Sequence, residues 1–294
     1  MIKLLTLLVS GLMLGCIYGL IALGYSLIYK ASGLLSFVQG DIMTLGAFMG
    51  LTFYSVLGLP FALSFVLTIF AAFVLGVIFQ KGVIQKLLNR NVLAIYIVLA
   101  TIAVSYIVQN GTQIIWGTVT LYFPSIFRRP TVNLLGIITV QTEVIMCVIL
   151  SSVMMFLLHF FMTRTKLGTA MRASSMDSGA AESCGIDVSL TTGITWGVSA
   201  GLAALAGILV GPIYGVYCTL GSTIGRKGFS GAVIGGYGNM YGAMIGGLIL
   251  GVTEILVGGF LSSQYKNLIA YILLILFLFV KPTGIMNESA IQDV

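Results

Sequence analysis

Apolar residues run along this chain in long blocks separated by short polar stretches. They show neither the two-residue alternation of a half-buried strand nor the one-sided stripe of a surface helix. A helix that crosses a bilayer takes about 20 such residues. The chain offers candidates at about 4–29, 34–58, 60–80, 92–116, 137–162, 190–211, 228–239, 241–260 and 266–281. The stretch 42–80 contains no charge and is too long for one crossing, so a break is expected near Gly58-Leu59-Pro60. The stretch 228–239, GFSGAVIGGYGN, is too short and too glycine-rich for a regular span. A broken or re-entrant segment is expected there, with its backbone covered by protein or water. The pattern predicts an all-α polytopic membrane protein with about 8 transmembrane helices plus one broken or re-entrant segment, in a single transmembrane domain over 1–294.

Composition removes the competing classes. Of the 294 residues 59% are hydrophobic and 7% charged, and the mean hydropathy is +1.11. A soluble domain carries about 25% charged residues, so a soluble enzyme or a disordered chain is excluded. The net charge of +6 comes from basic residues scattered between apolar runs, which is no nucleic-acid footprint. The first apolar run, from Leu4 to Tyr29, is too long for a signal-peptide core and reads as a true span.

Short basic loops set the orientation. With 81–91 and 163–189 on the cytoplasmic side, that side collects Lys30, Lys81, Lys86, Arg90, Arg164, Lys166, Arg172 and Lys281. The other keeps Lys3, Arg128, Arg129, Arg226, Lys227 and Lys266. The N-terminus is then outside and the C-terminus inside.

Glycine is abundant, with 37 residues, many at four-residue spacing, as in Gly11, Gly15 and Gly19 or Gly193, Gly197 and Gly201. Such ridges let helix backbones approach closely in lipid. Residues 33–50 and 228–247 echo one another: each follows a Gly-rich span, passes an irregular patch and resumes at Gly-Ala (Gly46-Ala47 and Gly242-Ala243). The spans before them cross in opposite directions, the pattern of an inverted repeat with discontinuous helices near the midplane.

Candidate chemistry is sparse. Asp177, Glu182 and Asp187 fall in the 163–189 loop, and Glu288 and Asp293 in the tail, leaving Asp41, Glu143 and Glu254 at or in spans. Ionisable groups in a bilayer are costly and mark function. Asp41 stands where a helix resumes and reads as an N-cap, Glu143 begins a span, and Glu254 fits either a pathway or a contact with another subunit. Gln109 and Asn110 lie mid-span, where amides join helices or bind solute. His159 is the one histidine, and Cys16, Cys147, Cys184 and Cys218 have no metal-like spacing, so no metal site is expected. No catalytic set or Walker A motif is present, so the reading is not an enzyme.

The longest polar interruption is 163–189. Helix formers surround Ala170 to Ser175, Asp177 can cap a second short helix through Ala180 and Cys184, and Gly185 would end it. A small Ala-rich helical hairpin suits a groove on a cytoplasmic partner.

At this loop the chain resembles the permease subunits of branched-chain amino acid ABC importers, whose pattern G-x-A-x-R-A, then D, then A-A-x-x-x-G-I is met by Gly168, Ala170, Arg172, Ala173, Asp177, Ala180, Ala181, Gly185 and Ile186. The likeness continues through residues 11–37, Ser105, Gln109-Asn110, Trp116-Gly117, 235–247 and Lys281-Pro282-Thr283-Gly284. Where the family often has Asn-Phe-Ala-His-Gly-Glu, this chain has Ser36-Phe37-Val38-Gln39-Gly40-Asp41, which leaves the solute open. The short N-terminus resembles the smaller of the family's two paired permeases. The resemblance implies a multi-pass subunit of a bacterial cytoplasmic (inner) membrane importer. Its partners would be membrane lipid, a second permease, two ATP-binding subunits and an extracytoplasmic solute-binding protein; ATP would be bound by those partner subunits, with no cofactor on this chain. A permease for urea, amides or sugars is the alternative, and an ion-coupled secondary transporter or a structural scaffold stands further off. ATPase coupling falls to Gly168, Arg172, Ala173, Asp177, Ala181 and Gly185. The translocation path falls to Gln39, Gly40, Asp41, Asn110, Gly235, Gly236 and Glu254, with apolar walls that ask little specific binding of the solute.

Overall fold

The computed structural model describes residues 2–90, 92–124, 131–134 and 138–286. Arg128, Arg129, Glu288 and Asp293 lie outside the described residues. In chain order the helices are α1 (Ile2–Ser32), α2 (Gln39–Leu51), α3 (Phe61–Phe79), α4 (Gln85–Leu88), α5 (Ala94–Trp116), α6 (Thr142–Arg164), α7 (Lys166–Met176), α8 (Ser178–Ser183), α9 (Val188–Tyr214), α10 (Leu220–Gly235), α11 (Met240–Phe260) and α12 (Lys266–Val280). Single π-helical turns extend α2 to Val56 and join α3 to α4. Before α6 lies a hairpin of β1 (Thr131–Leu134) and β2 (Ile138–Gln141), pairing Thr131 with Gln141 and Leu134 with Ile138.

Among the described residues seven helices are long and apolar enough to cross a membrane. The eighth regular span expected at 34–58 is instead the 13-residue α2, because the chain turns at Gly33 (φ +65°) and stays irregular to Gln39. The expected break at Gly58-Leu59-Pro60 is present: Gly58 takes φ +64° and Pro60 precedes α3. The expected span 137–162 begins later, at Thr142, since the β-branched run Ile138-Thr139-Val140 pairs as a strand and Glu143 then enters the first turn of α6. The broken segment expected at 228–239 is also displaced. Helix α10 already starts at Leu220 and runs to Gly235, and the break is the turn 236–239 before Asn239 caps α11.

The bundle is organised on α9, almost wholly buried from Thr191 to Gly211. Helices α1, α2 and α3 pack along it, and α10 and α11 pack in turn against α1. Gly46 of α2 meets Ala204, and Gly76 of α3 meets Ala200 and the Trp196 carbonyl. The ridge Gly11, Gly15 and Gly19 on α1 abuts α11, where Gly247 and Gly251 press on the backbones of Gly19 and Gly15. Side chains at these positions would part the helices, so the close approach that replaces hydrophobic drive in lipid would be lost. The outer faces are apolar; Ile114 is 85% and Phe279 86% exposed, surface fit for hydrocarbon and not for water.

Gln80 and Lys81 approach Gly193, and Tyr29 stacks edge-on against Tyr237, which gathers the α1 C-terminus, α3–α4, α7–α8 and residues 236–239 at one end. The other end holds Lys3 over the Phe260 ring and the bridge between Leu121 and Val216. Arg226 and Lys227, read as outer-loop charges, belong to neither end: both stand within α10. Helix α10 opens with the polar run Gly221-Ser222-Thr223, which is why the sequence reads as loop there.

Candidate functional site

Two short helices begin deep in the bundle, and their first turns lie side by side. Helix α2 starts at Gln39, whose side-chain amide donates to the Ser199 carbonyl in the middle stretch of α9 (2.7 Å). The Ser199 hydroxyl in turn donates to the Gly24 carbonyl (2.8 Å), fixing α2 to α9 and α1 at once. Helix α10 starts at Leu220, and the Gly221 amide donates to Thr44 Oγ1 (2.8 Å). Gly40 faces Gly221 and Gly225, and a methyl on Gly225 would lie 2.7 Å from the Gly40 Cα. Thr44 therefore meets Gly221 while Gly40 meets Gly225, so the first turns overlap in opposite directions. Each first turn turns its partial positive charge toward the same place. The segment expected to pair with Gln39-Gly40-Asp41, around Gly235-Gly236, does not face it; its counterpart is Leu220-Gly221.

A cavity of about 450 Å³ opens at this crossing, within the size range of small-molecule sites. Its polar groups are Asp41, Ser105 and Gln109 on one side and Ser222 and Arg226 on the other. Its apolar wall includes Phe37, Ile102, Phe229 and Leu274. Asp41 does not cap α2 as expected: residue 38 precedes the helix with no side-chain cap, and the Asp41 carboxylate accepts the Ser105 hydroxyl through Oδ2. Its Oδ1 is buried without a partner. Arg226 is exposed toward the mouth, where its Nε donates to the Ser222 carbonyl (2.9 Å).

Of the residues assigned to the path, Gly40 and Asp41 line this cavity and the others do not. Gln39 is fully buried in its contact with α9. Asn110 is exposed on α5 and donates to the Tyr106 carbonyl (2.7 Å), while its neighbour Gln109 faces the cavity. Gly235 and Gly236 close the far end of α10, where Gly235 abuts Gly242 and the Thr283 and Met286 carbonyls crowd Gly236. Glu254 is tied inside the chain: Oε1 accepts from Lys227 Nζ (2.6 Å) and Oε2 from the Tyr18 hydroxyl (2.8 Å). Glu254 does not line this cavity, and both its carboxylate oxygens are engaged within the chain. The pair neutralises a charge on α10 against one on α11, with Tyr18 of α1 completing the carboxylate's hydrogen bonds.

Sequence reasoning missed Ser222, Phe229, Tyr25 and the Lys227–Glu254 pair. The signal was there in the four- and three-residue steps of Gly221, Gly225, Gly228 and Gly231 on one side of α10.

The 163–189 stretch is a helical hairpin at the basic end. Thr165 caps α7 by accepting from the Gly168 amide (3.0 Å), and Asp177 caps α8 by accepting from Ala180 (2.9 Å). Gly185 takes φ +81° and ends α8, as its position foretold, with the Ile186 amide returning to the Ala181 carbonyl (3.0 Å). Gly168 lies against the backbone of Phe161 and Met162, Ala181 is buried beneath and Ala173 is half-buried. Arg172, Asp177 and Gly185 face outward, and Met176 at the tip is 77% exposed.

The profile of the family described as branched-chain amino acid transport system, permease component, matches residues 7–278. The chain is 32% identical to the high-affinity branched-chain amino acid transport system permease protein LivH of Escherichia coli strain K12, over 97% of this chain and 96% of that protein. It is 32% identical to the corresponding permease protein BraD of Pseudomonas aeruginosa, over 98% of this chain and 97% of that one. In structure it is similar to a chain of PsaBC from Streptococcus pneumoniae, solved with a Fab, at a TM-score of 0.51 and 13% identity, covering 93% of this chain and 91% of that one. This last likeness concerns the fold alone.

Proposed function

The chain belongs to the family of permease components of branched-chain amino acid transport systems, and on that premise we propose that it forms half of the membrane channel of an ATP-driven importer for these amino acids. It pairs with a second permease in the bacterial inner membrane. Of the two ATP-binding subunits, one docks on the α7–α8 hairpin, and an extracytoplasmic binding protein delivers the solute at the opposite end. ATP binds the partner subunits.

The observation that carries the reading is the pairing of two features at different depths. The hairpin projects exposed Arg172 and Met176 from the basic end of the bundle. The cavity at the α2–α10 crossing lies deeper, next to the buried contacts of α9. A small rigid hairpin capped at both helix starts can transmit a push from a soluble partner without bending. The crossing offers a break in two helices, which in a bilayer must face protein or a water-filled passage.

The test is reconstitution with the second permease, the ATP-binding subunits and the binding protein in proteoliposomes. ATP-dependent accumulation of leucine, isoleucine or valine is expected. Accumulation driven by an ion gradient with no ATP would reject the reading.

A further inference from the structure

We propose that the α2–α10 crossing holds a transit site for a zwitterion, in which Asp41 takes the ammonium group of the passing amino acid and Arg226 its carboxylate. This rests on the permease reading above.

Asp41 is 3% exposed, yet it borders the cavity. The Ser105 hydroxyl satisfies Oδ2, and Oδ1 has no partner. A half-satisfied carboxylate this deep in a bilayer protein is costly. Neither bland role for the residue requires its charge. It does not cap α2, and an asparagine carbonyl would accept from Ser105 equally well. The first turn of α2 offsets part of its charge, and Oδ1 is left open to a cation that enters the cavity. Lys227, one residue along α10 from Arg226, is committed to Glu254 at 2.6 Å. An ammonium group carries three donors and no acceptor, matching an oxygen that lacks any donor.

The opposite wall has the opposite sign. The Arg226 guanidinium uses its Nε on the Ser222 carbonyl (2.9 Å) and turns toward the cavity mouth. Its remaining N–H groups form the fork that a carboxylate accepts. The first turn of α10 beneath it adds partial positive charge of the same sign. Between the two poles, Phe37, Phe229 and Leu274 offer an apolar wall for a branched aliphatic side chain. One acidic pole, one basic pole and an apolar wall in a cavity of about 450 Å³ is the complement of a neutral amino acid, not of a sugar or a simple amide.

The test uses the whole reconstituted importer and radiolabelled leucine, reading uptake per ATP hydrolysed in complexes whose subunit composition is verified. Asp41→Asn, which keeps the shape and the Ser105 bond, is expected to lower this ratio by about tenfold or more, the equivalent of one lost charge-assisted hydrogen bond. Asp41→Glu is expected to recover most of it. Wild-type ratios in Asp41→Asn, or equal losses in the Asn and Glu variants, would overturn the proposal, since a packing role follows shape and not charge. If Asp41→Asn does not assemble, the exposed Arg226 decides. Arg226→Gln is then expected to cut the ratio about tenfold with partial rescue by Arg226→Lys, and unchanged uptake in Arg226→Gln would overturn the site. If the wild-type importer accumulates none of leucine, isoleucine and valine, the permease reading for these solutes fails and the site falls with it.

Discussion

Lys227 of α10 stands 2.6 Å from Glu254 of α11, with both side chains buried in the bundle. The Tyr18 hydroxyl completes the carboxylate, and the Lys227 ammonium also lies 5.9 Å from the Tyr18 ring centre. Three helices are thereby locked by one charge pair. Removing either partner strands the other, a loss of about 3–5 kcal/mol for a buried pair. Glu254→Gln and Lys227→Met should each lower the midpoint of thermal unfolding in detergent, followed by size-exclusion chromatography. The double variant should recover much of that loss, and a strictly additive double variant would show that the pair is not coupled.

Glycine-to-leucine changes at Gly40 of α2 and Gly235 of α10 should act on packing. Gly40→Leu would drive a side chain into the Gly221 backbone, and Gly235→Leu into that of Gly242. Overpacking of this kind costs about 1–3 kcal/mol or more, so both variants should lower the yield of folded protein. Ser222→Leu is different, because Ser222 lines the cavity and is only half-buried. It should assemble normally and reduce uptake by narrowing the passage; normal uptake in assembled Ser222→Leu would remove that wall from the path.

At the hairpin, Gly185→Val places a β-branched residue at φ +81°, a strain of about 1–3 kcal/mol. The expected outcome is a protein that reaches the membrane and purifies with less of its ATP-binding partner. Arg172→Glu, an exposed reversal, should leave the fold intact and uncouple hydrolysis from uptake. Unchanged partner stoichiometry and coupling in both variants would count against docking there.

Orientation is checked by single cysteines. Of the four native cysteines only Cys184 is exposed, so the background variant needs Cys184→Ser. A cysteine replacing Gln85 should react with an impermeant thiol reagent only from the cytoplasm, and one replacing Thr131 only from outside. The reverse labelling would invert the topology.

The hairpin was legible in the sequence because helix caps are local: Asp177 and Gly185 signal α8 within a few residues of where they act. The turn at Gly58-Leu59-Pro60 was legible for the same reason. Helix α10 was not, because Arg226 and Lys227 look like loop charges until Glu254, on another helix, comes within hydrogen-bonding distance. Neutralisation by a distant partner leaves no local mark. The same holds for Asp41, whose position at a helix start suggests a cap, while its real partner Ser105 belongs to α5. The cavity itself is a tertiary object, and of its lining only Gly221 and Gly225 had a periodicity to betray them.

The segment after α12 folds back so that the Ile285 and Met286 amides donate to the Ile234 and Gly235 carbonyls (2.9 and 3.0 Å). Those carbonyls end α10 and have no partner within their own helix. Biosynthesis therefore meets an ordering constraint. Helix α10 leaves the ribosome long before residues 285–286, and its last turn must wait, uncapped, for them. A nascent chain halted within α12 would hold every crossing helix except its last, yet lack the clasp on α10.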